Sequence, residues 1–473
     1  YYMITFKNNN IYRIINQKIS EGRQPRVYFI GIGGVSVSSL AIASMERGFK
    51  AAGSDRNESD LTESVKNRGA EINIGHNAEN VKRFSPDMIV YSAAIHGDNP
   101  ELIYAHENGI PCFSRAEYLG YIMSDYNNRI GISGMHGKST TTAMISLLFV
   151  AAGLDPTVEV GAAVKQLGGN CREGGRDYFI YEACEYTDSF LATSPTEVVV
   201  TNIETEHLDY FHDLEHILKS FAKFIGMSKT AVVNADDPNV LAASDGYKGR
   251  LITFSLGKDK SADYRADNIT WKNGCASFDI IERGEKLVSC DLSVVGIHNI
   301  YNALAAIASA RINGIGADVI KSTLPQFTGC ARRFERIGIL SCGAVLYDDY
   351  AHHPSEVEAT LEAVSRLGFK RVITVFQPHT FSRLADFYDR FKEIFTSKKP
   401  GDEMIISDIF AARENPADFS VSSERFAADT GSKYLGGFAE IAGWLEENTR
   451  SGDLVITMGA GDVVKLHKLL KLK

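Results

Sequence analysis

The sequence predicts an α/β protein of three domains, in which Rossmann-like first and third domains flank a central domain built on a glycine-rich phosphate loop. Two observations predict this architecture. Apolar, β-favouring runs alternate with helical patterns along the chain, which is typical of mostly parallel sheets. The length of 473 residues corresponds to roughly three domains at about 150 residues each.

The first predicted domain covers residues 1–126 and opens with a strand, a glycine turn and a helix. The apolar run from Arg26 to Ile30 forms the strand, and the turn follows at 31–34. A second strand leads to Asp55, and later strand-like runs lie at 88–91 and 110–113. The pattern becomes polar near 123–128, where we place the domain boundary.

The second and third predicted domains cover residues 127–328 and 329–473. The second begins with a strand and glycine turn at 129–137, and further strands end near Glu182, Asn202, Asn234 and Phe254. A more antiparallel pattern follows at 270–292. Third-domain strands are predicted at 344–347, 372–376, 403–406 and 454–457, with a helix at 355–367.

Composition excludes several classes of partner. The chain carries 59 acidic and 50 basic residues, a net charge of -9, so a broad basic surface for nucleic acid is not expected. The longest apolar run, 143–154, is shorter than the roughly 18 residues that a membrane span needs. Seven cysteines without a C-x-x-C pair favour a reducing compartment. We therefore expect a soluble cytoplasmic protein that binds neither nucleic acid nor membrane.

A phosphate loop is predicted where the strand at 129–133 gives way to a helix. Glycine amides and the helix N-terminus attract phosphate oxygens, Lys138 adds positive charge, and the hydroxyl of Ser139 can bind Mg²⁺. The glycine spacing departs from the general pattern, since Ile132 stands where a glycine is expected and the turn glycine is Gly134. The candidate phosphate-binding residues are Gly134, His136, Gly137, Lys138, Ser139 and Thr140.

Acidic residues follow the next two strands of this domain. Glu182 ends one strand, Glu185 and Asp188 lie just beyond it, and the other strand leads to His207. A lone glutamate is more often a surface residue, but ligands of open α/β sheets gather at the carboxyl ends of strands. The sequence therefore predicts Mg²⁺ near Ser139 and Glu182, and it leaves open a second metal site at the carboxylates and His207 that follow the other strand.

Four motifs in order resemble the Mur ligase family, the ATP-dependent amide-forming enzymes of peptidoglycan synthesis. They are GMHGKSTTT at 134–142, YEACE at 181–185, TNIETEH at 201–207 and HNIYN at 298–302. Within the family, FTGCARRF at 327–334, DDYAHHP at 348–354, FQPHTFSR at 376–383 and DIFAARE at 408–414 look like the alanine-adding branch. The doubled histidine at 352–353 is the most specific of these features.

The resemblance implies a reaction. The lactyl carboxylate of UDP-N-acetylmuramate takes the γ-phosphoryl group of ATP, and the amine of L-alanine attacks the resulting acyl phosphate. Lys138, Glu182, His207 and His353 are implied as catalytic residues, with Mg²⁺ as cofactor and two ions expected. A monomer or weak homodimer that closes by hinge motion is expected.

Further site residues are carried over by the same resemblance. The nucleotide contacts implied beyond the phosphate loop are His298, Asn299, Asn302, Arg332 and Asp349. The implied amino-acid contacts are His353, His379 and Arg383, with a guanidinium suited to pair with the alanine carboxylate. Thr380 stands where many alanine-adding ligases have another arginine. Lys223 lies near the position of a carbamylated lysine in some relatives, but a solvated helix lysine is the favoured interpretation.

The N-terminal glycine turn leaves two interpretations. Gly31-x-Gly33-x-x-Ser36 with Asp55 superficially matches a dinucleotide fingerprint, although Ser36 replaces the third glycine. The turn binds either NAD(P) or, by family resemblance, the diphosphate of a UDP-sugar. The second interpretation implies the UDP-substrate contacts Gly31, Gly33, Gly34, Asp55, His76, Ser92, Ser114 and Arg115.

Three alternatives to the alanine ligase remain at this level. A muropeptide-recycling ligase shares the doubled histidines but joins a tripeptide to UDP-N-acetylmuramate. A nicotinamide-dependent oxidoreductase would use the N-terminal glycine turn. A non-catalytic nucleotide-binding regulator would keep the motifs without turnover.

Overall fold

The computed structural model describes residues 2–92, 94–206, 210–257, 259–397, 399, 401–412 and 414–473, with backbone alone described for 2–9. In these residues the strands form three sheets of five, ten and six strands. The chain divides into two compact units. One comprises Tyr1–Asp267, Ile280–Val288 and Tyr301–Thr323, and the other comprises Asn268–Asp279, Ser289–Ile300 and Leu324–Lys473.

The five-stranded sheet is wholly parallel, with the strand order β3-β2-β1-β4-β5. The order reverses between β1 and β4, which is where open α/β sheets bind ligands. The elements of this region are α1 (Tyr2–Ser20), β1 (Arg26–Ile30), α2 (Val35–Glu46), β2 (Lys50–Asp55), α3 (Asp60–Asn67), β3 (Glu71–Ile74), α4 (Ala78–Phe84), β4 (Met88–Tyr91), α5 (Pro100–Glu107), β5 (Cys112–Ser114) and α6 (Arg115–Met123).

Helix α1 has no counterpart among the elements predicted from the sequence. The run Asn8-Asn9-Asn10 disfavours a helix by propensity. Tertiary packing outweighs this preference, because Ile11 and Ile15 are buried and the ring of Tyr12 meets Tyr121 of α6 edge to face at 4.9 Å.

The ten-stranded sheet has the order β15-β14-β13-β12-β11-β10-β6-β9-β7-β8. Its central strand β6 lies parallel to β10 on one side and to β9 on the other. The elements of this region are β6 (Asn128–Ser133), α7 (Lys138–Ala151), β7 (Thr157–Val164), β8 (Gly169–Arg172), β9 (Tyr178–Glu182), β10 (Glu197–Val200), α8 (Leu214–Gly226), β11 (Thr230–Asn234), α9 (Pro238–Ser244), β12 (Arg250–Ser255), β13 (Tyr264–Lys272), β14 (Cys275–Glu282), β15 (Glu285–Val295), α10 (His298–Ile312) and α11 (Ala317–Thr323).

Strands β13 to β15 explain the antiparallel pattern predicted at 270–292. Two-residue loops, Asn273-Gly274 and Arg283-Gly284, join them, and all four loop residues have positive φ. Such loops are typical of type I′ hairpin turns, which only antiparallel neighbours can use.

The six-stranded sheet has the order β16-β17-β21-β18-β19-β20 and is parallel except for β16. The predicted third-domain strands are confirmed to within two residues at each end. The elements are β16 (Glu335–Ile339), β17 (Val345–Asp349), α12 (Pro354–Ser365), β18 (Arg371–Phe376), α13 (Phe381–Asp386), α14 (Tyr388–Thr396), β19 (Glu403–Ser407), α15 (Ser423–Thr430), β20 (Lys433–Gly436), α16 (Phe438–Asn448) and β21 (Asp453–Met458).

Short 3-10 helices complete the secondary structure, at Lys165–Leu167, Tyr186–Ala192, Leu324–Gln326, Pro416–Asp418 and Val463–Leu469. Among the described residues, no helix is both long enough and apolar enough to cross a lipid bilayer. The domain limits at 126/127 and 328/329 stay predictions.

A substitution at Gly53 tests the packing of β2 against β1. A Cβ atom at Gly53 would lie 2.3 Å from the carbonyl oxygen of Phe29 and 2.7 Å from Cδ1 of Ile32. We expect Gly53→Ala to lower the free energy of unfolding by about 1–3 kcal/mol, measured by urea denaturation. Gly97→Ala is the matched control, because nothing lies within 4 Å of its Cβ position. Equal stability of the two variants would contradict this packing.

Candidate active site

The phosphate loop lies between the end of β6 and the start of α7, as the sequence predicts. Gly134 and Gly137 both have positive φ, +137° and +83°. A Cβ atom at Gly134 would lie 2.2 Å from Oγ1 of Thr201, and one at Gly137 would lie 2.4 Å from Oδ1 of Asn302. Both positions therefore require glycine, and the amides at the start of α7 form a site suited to an anion.

Strand register determines which side chains surround this loop. Glu182 of β9 pairs with Ile132, and Val200 of β10 pairs with Ser133. The segments that follow β9 and β10 therefore lie on either side of the loop. Glu182 ends β9, as the sequence predicts, and its functional role stays a prediction.

The residues after β10 hold the loop by hydrogen bonds to its backbone. The amide N–H of His136 donates to Oδ1 of Asn202 at 2.9 Å, and Nδ2 of Asn202 donates to the carbonyl oxygen of His136 at 2.9 Å. Oγ1 of Thr201 donates to the same carbonyl at 2.7 Å. The imidazole of His136 lies 3.6 Å from Glu204. Thr201 and Asn202 belong to the motif at 201–207, but nothing in the sequence signals this role.

Lys138, the first residue of α7, is partly buried and charged. Its Nζ donates to Glu185 Oε1 at 3.0 Å and to the carbonyl oxygens of Gly134 and Met135 at 2.5 and 3.1 Å. Burial by itself lowers the pKa of Lys138, but the negative groups around it, led by Glu185, raise that pKa above its ordinary value. Lys138 is therefore cationic at neutral pH without any nucleotide.

Ser139 and Glu182 form the core of the predicted metal site. Oγ of Ser139 donates to Glu182 Oε2 at 2.8 Å, and the amide of Gly161 donates to the same oxygen at 2.8 Å. A hydroxyl next to a carboxylate is the donor set that Mg²⁺ prefers, so these residues fit the ion. The third predicted ligand, His207, lies outside the described residues.

Gly161 belongs to this site although the sequence analysis does not single it out. A Cβ atom there would lie 2.6 Å from Oε2 of Glu182. The close approach lets the backbone of β7 bind the carboxylate directly. A lone glycine in a strand signals such an approach, but the sequence does not say to which group.

The predicted nucleotide contacts on α10 fall into both compact units. In the first unit, Asn302 is buried and its Oδ1 accepts a hydrogen bond from Oγ1 of Thr141 at 3.2 Å. In the second unit, Nδ2 of Asn299 donates to the carbonyl oxygen of Val295 at 2.8 Å and lies 3.2 Å from Nε2 of His298. The role of all three in binding nucleotide stays a prediction.

The N-terminal glycine turn follows β1 at the switch point of the five-stranded sheet. The amide of Gly31 donates to the carbonyl oxygen of Ser54 at 2.8 Å, and the amide of Gly33 donates to Asp55 Oδ2 at 2.9 Å. Gly34 is the N-cap of α2. Asp55 thus orders the turn through its backbone, and its predicted contact with substrate is untested.

His76 belongs to a buried hydrogen-bond network around Glu101, which the sequence analysis misses. Nδ1 of His76 lies 2.9 Å from Oγ of Ser54 and 3.2 Å from Glu101 Oε2. Glu101 also accepts hydrogen bonds from Tyr28 OH at 2.9 Å and from Nδ2 of Asn80 at 3.1 Å. This carboxylate, fully buried, sets the orientation of the imidazole.

The remaining predicted UDP-substrate residues lie at the carboxyl ends of β4 and β5. Oγ of Ser92 accepts from the amide of Ala94 at 3.3 Å, and Ser114 forms a capping box with Glu117 at the start of α6. Arg115 is the first residue of α6, and its Nη1 donates to Oγ of Ser36 at 2.9 Å.

Arg332 and Asp349, predicted as nucleotide contacts, lie in the second unit. The guanidinium of Arg332 donates to Asp348 Oδ2 at 3.1 Å and lies over the ring of Tyr350, 4.9 Å from its centroid. Burial raises the pKa of Asp349 to about 7, although the charge of Arg333 opposes this. Asp349 accepts two hydrogen bonds from backbone amides, those of Phe334 and Ala351.

The predicted amino-acid residues follow β17 and β18 in the same unit. His353 is buried as the N-cap of α12, and its Nδ1 lies 2.7 Å from Oγ of Ser355. The rings of His352 and His379 meet edge to face at 5.6 Å. Nη1 of Arg383 lies 3.3 Å from Nδ1 of His379. The imidazoles of His352 and His379 and the guanidinium of Arg383 therefore lie together.

Thr380, the departure from the alanine-adding pattern, has a local structural role. It is the N-cap of α13, and its Oγ1 accepts from the amide of Arg383 at 3.5 Å. Glu414, which the sequence analysis quotes only within a motif, accepts from the amides of Phe381 and Ser382 at 2.6 and 3.1 Å. These contacts hold the start of the helix that carries Arg383.

Family profiles match most of the chain. The Mur ligase family, catalytic domain matches residues 26–127, the Mur ligase middle domain matches 132–310, and the Mur ligase, glutamate ligase domain matches 332–461. The chain belongs to the Mur ligase family. Membership supports the UDP-sugar interpretation of the N-terminal turn over the nicotinamide-dependent one.

Curated relatives extend over nearly the whole chain. A UDP-N-acetylmuramate--L-alanine ligase of Acetivibrio thermocellus is 44% identical, covering 94% of this chain and 95% of its own. A protein of the same name from Caldicellulosiruptor saccharolyticus is 43% identical, covering 94% and 98%.

Solved structures share the three-domain fold. The UDP-N-acetylmuramate-alanine ligase of Thermotoga maritima superposes with a TM-score of 0.80 at 23% identity, covering 94% of this chain and 97% of that one. A murein peptide ligase of Psychrobacter arcticus gives 0.74 at 22% identity, covering 94% and 97%. The α/β fold class predicted from the sequence is confirmed.

The imidazole of His379 should stay neutral at neutral pH. Burial, reinforced by His352 and Arg383, lowers the pKa of His379 to about 4. We expect its ring resonances, assigned in a heteronuclear NMR titration by comparison with His379→Gln, to change below pH 5 and not near the ordinary histidine pKa of about 6.5. Protonation of this ring near pH 6.5 would contradict the buried arrangement.

Proposed function

We propose that this chain is an ATP-dependent ligase that joins L-alanine to the lactyl carboxylate of UDP-N-acetylmuramate and releases ADP and phosphate. The observation that carries the proposal is the cluster of Lys138, Ser139 and Glu182 at a glycine-rich loop, in a chain 44% identical to an L-alanine ligase over 94% of its length. This cluster has the groups that phosphoryl transfer needs, and the relatives indicate the substrates.

Electrostatic attraction explains how the phosphate loop would assist phosphoryl transfer. A substrate carboxylate that approaches a triphosphate is repelled by its negative oxygens. Lys138 is cationic and only 14% exposed, so water screens its charge weakly, and the amides at the start of α7 add further positive potential. Ser139 and Glu182 would hold Mg²⁺, which would supply further positive charge to the phosphate oxygens.

The second half-reaction needs an alanine amine near the acyl phosphate. We assign the alanine carboxylate to Arg383, because a guanidinium pairs with a carboxylate through two parallel hydrogen bonds. Nδ1 of the neutral His379 accepts a hydrogen bond from Nη1 of Arg383, so this imidazole orients the guanidinium that binds the alanine carboxylate. His353, buried at the start of α12, is proposed to complete this pocket.

The first domain is proposed to bind the UDP portion. The turn at 31–34 meets the N-terminus of α2, an arrangement that attracts a diphosphate. His76, held by Glu101, is the candidate for contact with the uracil ring. We further propose two Mg²⁺ ions, a monomer or weak homodimer, and a cytoplasmic location, where ATP is available.

Phosphate release from Mg-ATP tests the function directly. With UDP-N-acetylmuramate present, we expect L-alanine to support the highest kcat/KM among L-alanine, glycine, L-serine, the tripeptide L-Ala-γ-D-Glu-meso-diaminopimelate and no acceptor. A preference for the tripeptide would assign the chain to the recycling reaction instead. Absence of release with every acceptor would refute the ligase proposal.

Replacement of Lys138 tests the electrostatic argument. Lys138→Met should lower kcat by at least about 10²-fold, because it removes the positive charge at the transferring phosphoryl group. Lys223→Met is the control: Lys223 lies exposed on α8, so kcat should stay within about twofold. A large loss in the control would instead support the carbamylated-lysine interpretation.

A further inference from the structure

Glu159 is a buried carboxylate that none of the predicted roles uses. It lies on β7 and is 6% exposed. Its Oε1 accepts a hydrogen bond from Oγ of Ser36 and lies 3.7 Å from Nη1 of Arg115, while Arg115 donates to the same hydroxyl at 2.9 Å. These three side chains join the first turn of α2, the start of α6 and the strand β7.

The charges of Glu159 and Arg115 indicate that this cluster does more than fill space in the core. Burial raises the pKa of Glu159, whereas Arg115 and Ser36 oppose that shift. A carboxylate is costly to bury unless it is paired and hydrogen-bonded, and apolar residues of similar size would fill the space more simply. The hydroxyl of Ser36, at the position where the dinucleotide fingerprint has glycine, supplies one of the required contacts.

Arg115 keeps donors available for a ligand. Among the described residues its guanidinium makes one hydrogen bond, through Nη1, and Nε and Nη2 have no acceptor. The side chain is nevertheless largely buried, at 18% exposed. A guanidinium that is held through one nitrogen and has no protein acceptor at the other two can bind an oxyanion.

Strand β7 connects this cluster to the phosphate-transfer residues. Glu159 and Gly161 lie two residues apart on β7. The amide of Gly161 donates to Glu182 at 2.8 Å. The same short segment therefore contacts both the arginine near the glycine turn and the carboxylate that fits Mg²⁺.

We propose that Glu159 is a positioning residue that, with Ser36, holds the guanidinium of Arg115 to receive an oxyanion of the UDP-sugar substrate. The inference rests on the proposed function, because it takes UDP-N-acetylmuramate as the ligand. That oxyanion is either the diphosphate or the lactyl carboxylate. Removing the carboxylate leaves Arg115 with only its hydrogen bond to a hydroxyl that is itself no longer held, so substrate affinity falls while nucleotide affinity does not.

The test compares two buried glutamates of equal exposure. Glu197 is also 6% exposed and accepts hydrogen bonds from Ser309 and Asn313, but it lies at the amino end of β10, away from the phosphate loop. We expect Glu159→Gln to raise the Kd for UDP-N-acetylmuramate, by calorimetry, and the KM for it at least about tenfold, with the KM for ATP within about twofold. Glu197→Gln should change neither, and thermal unfolding monitors folding of both variants.

A double-variant experiment distinguishes a positioning role of Glu159 from a general effect of the substitution on the structure. If Glu159 acts through Arg115, then Glu159→Gln added to Arg115→Ala should weaken substrate binding by no more than about twofold beyond the single change. Ser36→Ala leaves the charges of Glu159 and Arg115 in place but removes the hydroxyl that contacts both. This variant should therefore also bind UDP-N-acetylmuramate more weakly. Weaker binding of UDP alone would assign the oxyanion to the diphosphate, and a loss confined to UDP-N-acetylmuramate would assign it to the lactyl carboxylate.

Several results would overturn the proposal. These are unchanged substrate affinity in Glu159→Gln, an equal loss of ATP affinity, an equal effect of Glu197→Gln, and a full effect of Glu159→Gln in the Arg115→Ala background. If the unmodified protein binds UDP-N-acetylmuramate but releases no phosphate, the ligase proposal fails and the positioning role is still decided by affinity. If it does not bind that compound, both proposals fail.

Discussion

The structure depends on the close approach of three parallel strand ends at one edge of the central sheet. Strand β6 lies between β9 and β10, so the loop that follows β6 is enclosed by the segments after its neighbours. No space remains for a side chain at Gly134 or Gly137. The backbone amides of the loop and the side chains of Glu182 and Asn202 are therefore brought to one place by register alone.

Buried charges recur in this protein, and each is balanced by specific partners. Lys138 meets Glu185, Glu159 meets Arg115, and Glu101 accepts hydrogen bonds from neutral and imidazole donors. An unpaired buried charge is destabilising by several kcal/mol, on the order of the net stability of a domain. Such pairs therefore restrict side-chain orientation strongly, which is what a site for several anionic substrates requires.

Sequence reasoning identified the phosphate loop because its signal is local. Glycines, a lysine and a hydroxyl at fixed spacing between a strand and a helix produce the same geometry in any α/β sheet, and Lys138 and Ser139 lie where that pattern places them. The position of Glu182 followed from the same topological rule. His207 lies outside the described residues, so its predicted role as a ligand stays a prediction.

Other functional groups were not recognisable in the sequence for a physical reason. Glu101 and Glu159 are single carboxylates without a motif, and such residues are usually solvated. Helix α1 contains residues of low helical propensity and depends on contacts with α6. In each case the environment comes from segments far apart in the chain.

The sequence by itself determined the alternation of strands and helices, the need for glycine at the phosphate loop, and the family to which the chain belongs. These properties depend on local backbone preferences and on short motifs. Only the tertiary structure decided which carboxylates are buried, which donors face them, and that β7 contacts both Arg115 and Glu182. Those contacts join residues that are distant in sequence, and they exist only once the parallel sheet has brought its strand ends together.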